Sequence, residues 1–132
     1  MLNEKSRTLA LYRLERAKEL IDDSRKLFES GSYKSSNNRA YYAIFYAMRA
    51  VLALDEVDFK KHSGVIQYFQ RNYIKTGIFD KSYSDIIMDS SEIRNSSDYD
   101  DFYLASREEA IEQIEGAEKF YCAVEAFLKR IE

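Results

Sequence analysis

The chain has no proline in its 132 residues and only four glycines. Proline removes a backbone donor and breaks helices, and glycine supplies the turn conformations that β folds use in quantity. A chain this poor in both has few places to turn and is free to run in long helices. The first constraint on the fold is therefore that it is all-α. Apolar residues make up 45 % of the sequence, enough to fill a core without a metal or disulfide staple. The length fits a single domain, and no repeat, low-complexity run or linker divides residues 1–132.

Apolar spacing places the helices. Leu14, Ala17, Ile21, Ser24 and Phe28 recur at helical steps, predicting a first helix over residues 5–30 that Gly31 ends. A second helix is expected from Ser35 or Ser36, both good N-caps, to Leu54. Its seam is Tyr41, Ile44, Phe45, Met48 and Leu52, while Ala40, Ala43, Ala47 and Ala50 cover other sides. A helix apolar nearly all round is a central one, packed on several neighbours. Arg39 and Arg49 interrupt it, and each needs a partner or a route to solvent.

A short third helix is expected over residues 63–73 and a fourth over residues 80–94, with Ile86, Ile87 and Ile93 facing inward. Asn95-Ser96-Ser97-Asp98 should break the fourth helix, because these side chains compete for backbone hydrogen bonds. Ser106-Arg107-Glu108-Glu109 reads as a capping box that opens the last helix. There Ala110, Ile114, Ala117, Tyr121, Val124, Leu128 and Ile131 form an a/d seam. Such a seam suits the inside of the bundle or a second subunit; the first is favoured, since one domain needs that core. The expected architecture is a small antiparallel bundle.

The formal net charge of −3 disfavours bulk electrostatic binding of nucleic acid, which draws on Lys and Arg, and leaves a local basic site on a dimer. Cys122 is the only cysteine, so neither an intramolecular disulfide nor a Cys-rich zinc site can form, and a reducing cytoplasm fits. The N-terminal segment Met1-Leu2-Asn3-Glu4-Lys5 carries no signal-peptide h-region. The longest apolar stretch, residues 40–54, is interrupted by Arg49 and falls short of the ~20 residues that span a bilayer.

Three places could carry chemistry. Tyr41-Tyr42-Ala43-Ile44-Phe45-Tyr46 invites an aromatic platform for stacked bases. Helical spacing instead puts Tyr41, Phe45 and Met48 on one face, so most of the cluster reads as core whose hydroxyls need partners. His62, the only histidine, cannot build a multi-histidine metal site. It is either a general base or a structural residue that seats the third helix beside Ser63, with Lys60 and Lys61 as a small basic spot. The segment from Arg94 to Tyr103 is the most unusual, concentrating polar, ionisable and aromatic groups at a helix end. Arg94 there can grip a phosphate bidentately. Asp98 can accept from an arginine, orient a base or cap a turn. Asp98, Asp100 and Asp101 lack the glycine-containing spacing of a calcium loop. The plain alternative is an Arg94–Asp98 pair that only fixes the loop.

Arg39-Ala-Tyr-Tyr-Ala-Ile-Phe45, Lys61-His62-Ser63-Gly64-Val65-Ile66 and Arg94-Asn-Ser-Ser-Asp-Tyr99, in this order and at these spacings, resemble the HEPN superfamily. The similarity runs over about residues 10–128 and is greatest to small stand-alone prokaryotic HEPN proteins with an Arg-Asn-x-x-Asp-Tyr pattern. The resemblance implies a four- to five-helix up-and-down antiparallel bundle, usually a homodimer. Such proteins are often encoded beside a minimal nucleotidyltransferase, and many of these pairs act as toxin–antitoxin modules. Active members are metal-independent RNases, in which two motifs of Arg, four to six residues and His meet at the dimer interface.

Here Tyr99 stands where that histidine is expected, and no histidine follows Arg94. A phenol with a pKa near ~10 is a poor base at neutral pH. The role falls to Tyr99, Asp98 or His62 brought in from the third helix. The resemblance thus implies Arg94, Asp98 and Tyr99 as the catalytic set, and Asn95, Arg39, His62 and Tyr103 as contacts to RNA or nucleotide. It implies no cofactor, no metal and no membrane. The partners expected are a second copy, a minimal nucleotidyltransferase, and RNA or a nucleotide. Two alternatives stay open. One is a non-catalytic substrate- or nucleotide-binding subunit of the nucleotidyltransferase, with Tyr99 and Tyr103 as residues it could modify. The other is a purely structural helical interaction module.

Overall fold

The structure, a computed structural model, describes residues 3–131. Met1 and Leu2 of the N-terminal segment lie outside the described residues. The fold is all-α. Five helices follow in order: α1 (Glu4–Glu29), α2 (Tyr33–Leu54), α3 (His62–Phe69), α4 (Ser82–Tyr99) and α5 (Arg107–Arg130). No helix is long and apolar enough to cross a membrane among the described residues.

Gly31 ends α1 as its place in the sequence predicts. It adopts the left-handed conformation, φ 82°. Its N–H donates to Phe28 O at 3.0 Å and that of Ser32 to Leu27 O at 2.9 Å, a Schellman stop. The turn is so tight that α2 begins at Tyr33, ahead of the expected caps at Ser35 or Ser36. Ser32 takes the cap position, its carbonyl accepting from Ser36 N at 2.9 Å. Ser36 instead turns into the α1–α2 contact. Its hydroxyl donates to Ser24 O at 2.9 Å, and the Ser24 hydroxyl donates to Ser36 O at 2.8 Å. Two small, mutually satisfied side chains let the antiparallel helices approach closely.

α2 is the central element and packs on α1, α3, α4 and α5. Its alanines 40, 43, 47 and 50 are all buried, along with Tyr41, Ile44, Met48 and Leu52. The last helix delivers its seam inward: Ala110, Ile114, Ala117, Val124 and Leu128 are buried, with Tyr121 partly covered and Ile131 at the exposed end. Phe69, Tyr73, Phe79, Phe120 and Phe127 interlock below α3 at centroid spacings of 5.2–6.3 Å. Each fully buried aromatic of this kind contributes roughly 1.5–3 kcal/mol.

α3 starts at His62 and continues into a wider π-helical turn, Gln70–Ile74. The extra residue in that turn brings the Tyr68 and Tyr73 hydroxyls to one carboxylate, Asp55, at 3.0 and 2.6 Å. Gly64 fixes where α3 begins. A Cβ there would stand 2.9 Å from Phe59 Cβ, so only the bare backbone lets the preceding loop close over the first turn.

The expected break at residues 95–98 does not occur. α4 runs on through Asn95, Ser96, Ser97 and Asp98 to Tyr99. The competing side chains cost only tenths of a kcal/mol each. Arg94 and Asp98 are one turn apart and pair, and Asp100 N closes the end on Ser96 O at 3.0 Å. Of the three expected inward isoleucines, Ile87 is buried, while Ile86 and Ile93 are half-buried.

Candidate functional site

The site forms where the last turns of α4 lie over the first half of α2 and the start of α3. α2 supplies a floor of aromatic rings. Tyr41 stacks on Phe45 with centroids 6.2 Å apart, and Tyr42 meets Tyr41 edge-on at 5.2 Å. Residues four apart share a helix face, so the sequence itself lays Tyr41 and Phe45 in a row.

Arg94 reaches this floor from α4. Its guanidinium carbon sits 5.1 Å from the Tyr41 ring centre and 6.0 Å from that of Tyr42. Its Nε lies 3.5 Å from Asp98 Oδ2, an ion pair along the helix. The Arg94 side chain is 23 % exposed, so its head is held but not sealed. Nε is nonetheless buried and has no hydrogen-bond partner. At 3.5 Å from Asp98 this donor is ion-paired but not hydrogen-bonded, and an oxyanion gripped through Nε and a terminal nitrogen would satisfy it.

His62 enters from the first position of α3. Its Nδ1 lies 2.8 Å from the Tyr41 hydroxyl oxygen. Its ring packs against Phe45 at 4.1 Å, stacks on Tyr41 at 5.7 Å and meets Tyr42 edge-on at 5.7 Å. Burial lowers the His62 pKa below its usual 6.5, and the charges of Arg94 and Arg49 push it the same way. The imidazole is therefore neutral at pH 7. Burial raises the Tyr41 phenol, an effect the Arg94 charge partly offsets. Tyr41 stays protonated and serves as a hydrogen-bonding group.

A second cationic group borders the same floor. Arg49 lies over Phe45 and Tyr46, at 5.9 and 5.5 Å from the ring centres. It shares Asp58 Oδ2 with Arg13, at 3.0 and 3.3 Å, and Arg13 also donates to Arg49 O at 2.9 Å. Burial and the neighbouring Arg49 charge lower the Arg13 pKa, against the pull of Asp58. Burial alone would raise Asp58, but hydrogen bonds from Arg49 and the Phe59 N–H outweigh it and hold the carboxyl low.

The structure thus brings Arg94, Asp98 and His62 together and leaves the other expected residues apart from them. Tyr99 is 82 % exposed at the end of α4. Asn95 points to solvent on the same turn. Arg39 is exposed and donates to its neighbour Asn38 at 2.5 Å, which gives it the solvent route its position demanded. Tyr103 is tied to the start of α5, its hydroxyl donating to Glu109. Glu109 also accepts from Asn37 Nδ2 at 3.2 Å. Ser106 caps α5 by accepting from Glu109 N at 3.0 Å, but the Glu109 carboxylate goes to Tyr103 and Asn37 and not back to the cap. Sequence reasoning missed Tyr41 and Tyr42 as the support for Arg94. The signal was present in the requirement that buried tyrosine hydroxyls find partners.

A family model for the HEPN domain matches residues 10–127. The chain belongs to the HEPN family. A Thermotoga maritima protein named "UPF0332 protein" is 34 % identical over 128 residues, covering 97 % of this chain and 96 % of its own. Two Methanocaldococcus jannaschii proteins carry the name "Putative toxin". One is 34 % identical over 131 residues, covering 99 % of this chain and 97 % of its own. The other is 34 % identical over 97 residues, covering 74 % of this chain and 66 % of its own. The HEPN match runs from α1 into α5 and takes in all the helices that build the Arg94 site.

Proposed function

We propose that this HEPN protein is a component of a toxin–antitoxin module with a minimal nucleotidyltransferase, and that it acts on RNA as a metal-independent ribonuclease. The single observation that carries this reading is Arg94. Its guanidinium is braced on Tyr41, its Nε is buried without a hydrogen-bond partner, and a neutral imidazole shares the same tyrosine. An arginine held this way suits a phosphodiester, whose paired oxygens match the guanidinium fork and whose charge grows in the transition state. Asp98 positions Arg94 through the helix, and Asn95 and Tyr99 flank the approach from solvent. The relatives named as toxins lend support to the biological setting.

The protein works as a homodimer in this reading. Tyr99, Phe102 and Leu104 are 82, 92 and 89 % exposed around the α4–α5 connection. Large apolar side chains grouped in this way beside the site favour a second copy as their cover.

The test is incubation of the purified protein with RNA in EDTA. Wild type cleaves, and Arg94→Ala loses at least about 10²-fold in rate, the usual cost of removing a charge-stabilising donor. Cleavage that survives Arg94→Ala overturns the assignment.

A second reading has its own observation. The 82 % exposure of Tyr99 leaves its hydroxyl open to a modifying partner. The chain would then be the bound substrate of the nucleotidyltransferase. Co-expression with that enzyme followed by mass spectrometry decides it, and an unmodified Tyr99 and Tyr103 counts against it.

A further inference from the structure

We infer that His62, carried on α3, is the general base of this site, and that Tyr41 is the residue that positions it. The inference rests on the ribonuclease reading and names the proton acceptor that reading lacks.

Transesterification of RNA needs a group that takes the 2′-hydroxyl proton beside the phosphate that Arg94 holds. Asp98 is engaged with Arg94 along α4, so its carboxylate is already committed to the guanidinium. Tyr99 is a phenol at 82 % exposure, with no partner that would activate it. His62 is different in three respects. It is the only imidazole in the chain. Its orientation is fixed by three rings and by the 2.8 Å hydrogen bond between Nδ1 and the Tyr41 hydroxyl. Its Nε2 makes no hydrogen bond to the protein, yet it is not among the buried atoms without partners, which are Asn37 Oδ1 and Arg94 Nε. Nε2 is therefore not fully covered, in a side chain that is half-buried.

Tyr41 links the two functional side chains. Its ring carries the Arg94 guanidinium and its hydroxyl meets His62. With Nδ1–H donating to the Tyr41 oxygen, the lone pair is left on Nε2, the tautomer a base requires. Tyr41 is 2 % exposed and anchored in the core, so this orientation does not wander.

In the reaction Nε2 accepts the 2′-hydroxyl proton, and the 2′-oxygen bonds to phosphorus. The bond from phosphorus to the 5′-oxygen breaks, and its electron pair leaves on that oxygen, which takes a proton from water. The imidazolium releases its proton to solvent. The products are a 2′,3′-cyclic phosphate and a 5′-hydroxyl, and no metal or redox partner enters the balance.

The groups that set the pH response of His62 come from three elements. Tyr41, Tyr42 and Arg49 face it from α2, and Arg49 is itself paired with Asp58. Arg94 faces it from α4, with Asp98 behind. Lys60 and Lys61 precede it in its own segment and are exposed. The cations outnumber the carboxylates, so the imidazole stays neutral until an anion arrives.

The experiment uses a 2′-O-methyl RNA oligonucleotide, which can bind but cannot be cleaved, together with the unmodified RNA. Because the chain has one histidine, its imidazole NMR signal is assigned without ambiguity. Adding the 2′-O-methyl RNA should raise the His62 pKa in wild type and not in Arg94→Ala. His62→Gln should lower cleavage of unmodified RNA by about 10²-fold or more while affinity for the 2′-O-methyl RNA changes less than about twofold. Tyr41→Phe keeps the ring under Arg94 and removes the hydrogen bond that favours the imidazolium. It should therefore move the acidic limb of the pH–rate profile to lower pH. If RNA binds through Arg94 but His62→Gln cleaves at the wild-type rate, the assignment of His62 is overturned and the ribonuclease reading stands. If wild type neither binds nor cleaves RNA, both are overturned.

Discussion

The Tyr41 hydroxyl lies 2.8 Å from His62 Nδ1, so one buried tyrosine joins the first turn of α3 to the middle of the bundle. The same ring carries Arg94 from α4. Three helices thus converge on one side chain, and the site inherits the rigidity of the core.

That contact has a consequence for stability. His62 titrates below its usual 6.5 in the folded protein. Above pH 6.5 the imidazole is neutral in both folded and unfolded chains, and it contributes no pH dependence. As pH falls below that value the unfolded chain takes up the proton first, which draws the equilibrium toward unfolding. The loss continues until pH reaches the lower folded value and then levels off. Urea unfolding at pH 7 and pH 5 should therefore show a drop in stability on acidification that is smaller in His62→Gln. An equal drop in both proteins would mean that His62 carries no such linkage.

Arg94→Ala separates function from scaffolding. The pair with Asp98 is partly exposed and worth at most about 1 kcal/mol, and the cation–π contact adds about 0.5–1 kcal/mol. Against this, the substitution removes a buried Nε that makes no hydrogen bond. Chemical denaturation should show a loss below about 1.5 kcal/mol, with the fold retained. A loss of several kcal/mol would make Arg94 a structural residue first.

Much of the bundle was legible in the sequence, for reasons that differ by element. α2 was readable because its alanines leave no polar face, and Gly31 because a left-handed C′ position suits few other residues. The end of α4 was not. Asn95 to Asp98 has the composition of a break, and only the Arg94–Asp98 pair and its packing over α2 decide otherwise. Ser36 looked like a cap because capping is local, whereas its true partner, Ser24, lies twelve residues away on the neighbouring helix. Arg94 and His62 were each visible as candidates. Their meeting on Tyr41 joins α2, α3 and α4 at long range, which periodicity does not encode.

The serine pair gives a prediction about that long-range packing. Ser24→Ala removes one hydroxyl and leaves a carbonyl of α2 without its extra partner, at a cost of about 1 kcal/mol. Ser36→Val adds bulk at a fully buried contact between α1 and α2, and should cost about 1–3 kcal/mol through overpacking. Urea midpoints measure both. A neutral Ser36→Val would show that the two helices have room to separate.

The exposed apolar group around the α4–α5 connection predicts the oligomeric state. Phe102→Glu combined with Leu104→Glu should convert a dimer to a monomer in sedimentation equilibrium, with the helical content unchanged. Both side chains are about nine-tenths exposed, so neither substitution touches the core. A wild-type protein that sediments as a monomer at high concentration would remove the basis for a shared site.

Asp58 is the one carboxylate between Arg13 and Arg49. Arg13 is almost fully covered, with 8 % of its side chain exposed, while Asp58 is 51 % exposed. Asp58→Asn would leave two guanidinium groups facing each other without a counter-charge. The half-exposed carboxylate is screened by solvent, so the cost is well below that of a buried pair, at about 1–2 kcal/mol. The pH dependence has the same sign as that of His62 but lies in a more acid range. Asp58 has a folded pKa below its usual 3.8, so its stabilisation is complete above that value. It is lost as pH falls through the lower folded value, where the paired carboxylate finally takes up its proton. Wild type should therefore lose stability in this acid range more steeply than Asp58→Asn. Since Arg49 also lies over Phe45 beside His62, Asp58→Asn should change the His62 pKa as well. Freed of its counter-charge, the Arg49 cation depresses it further, which the single histidine NMR signal would report directly.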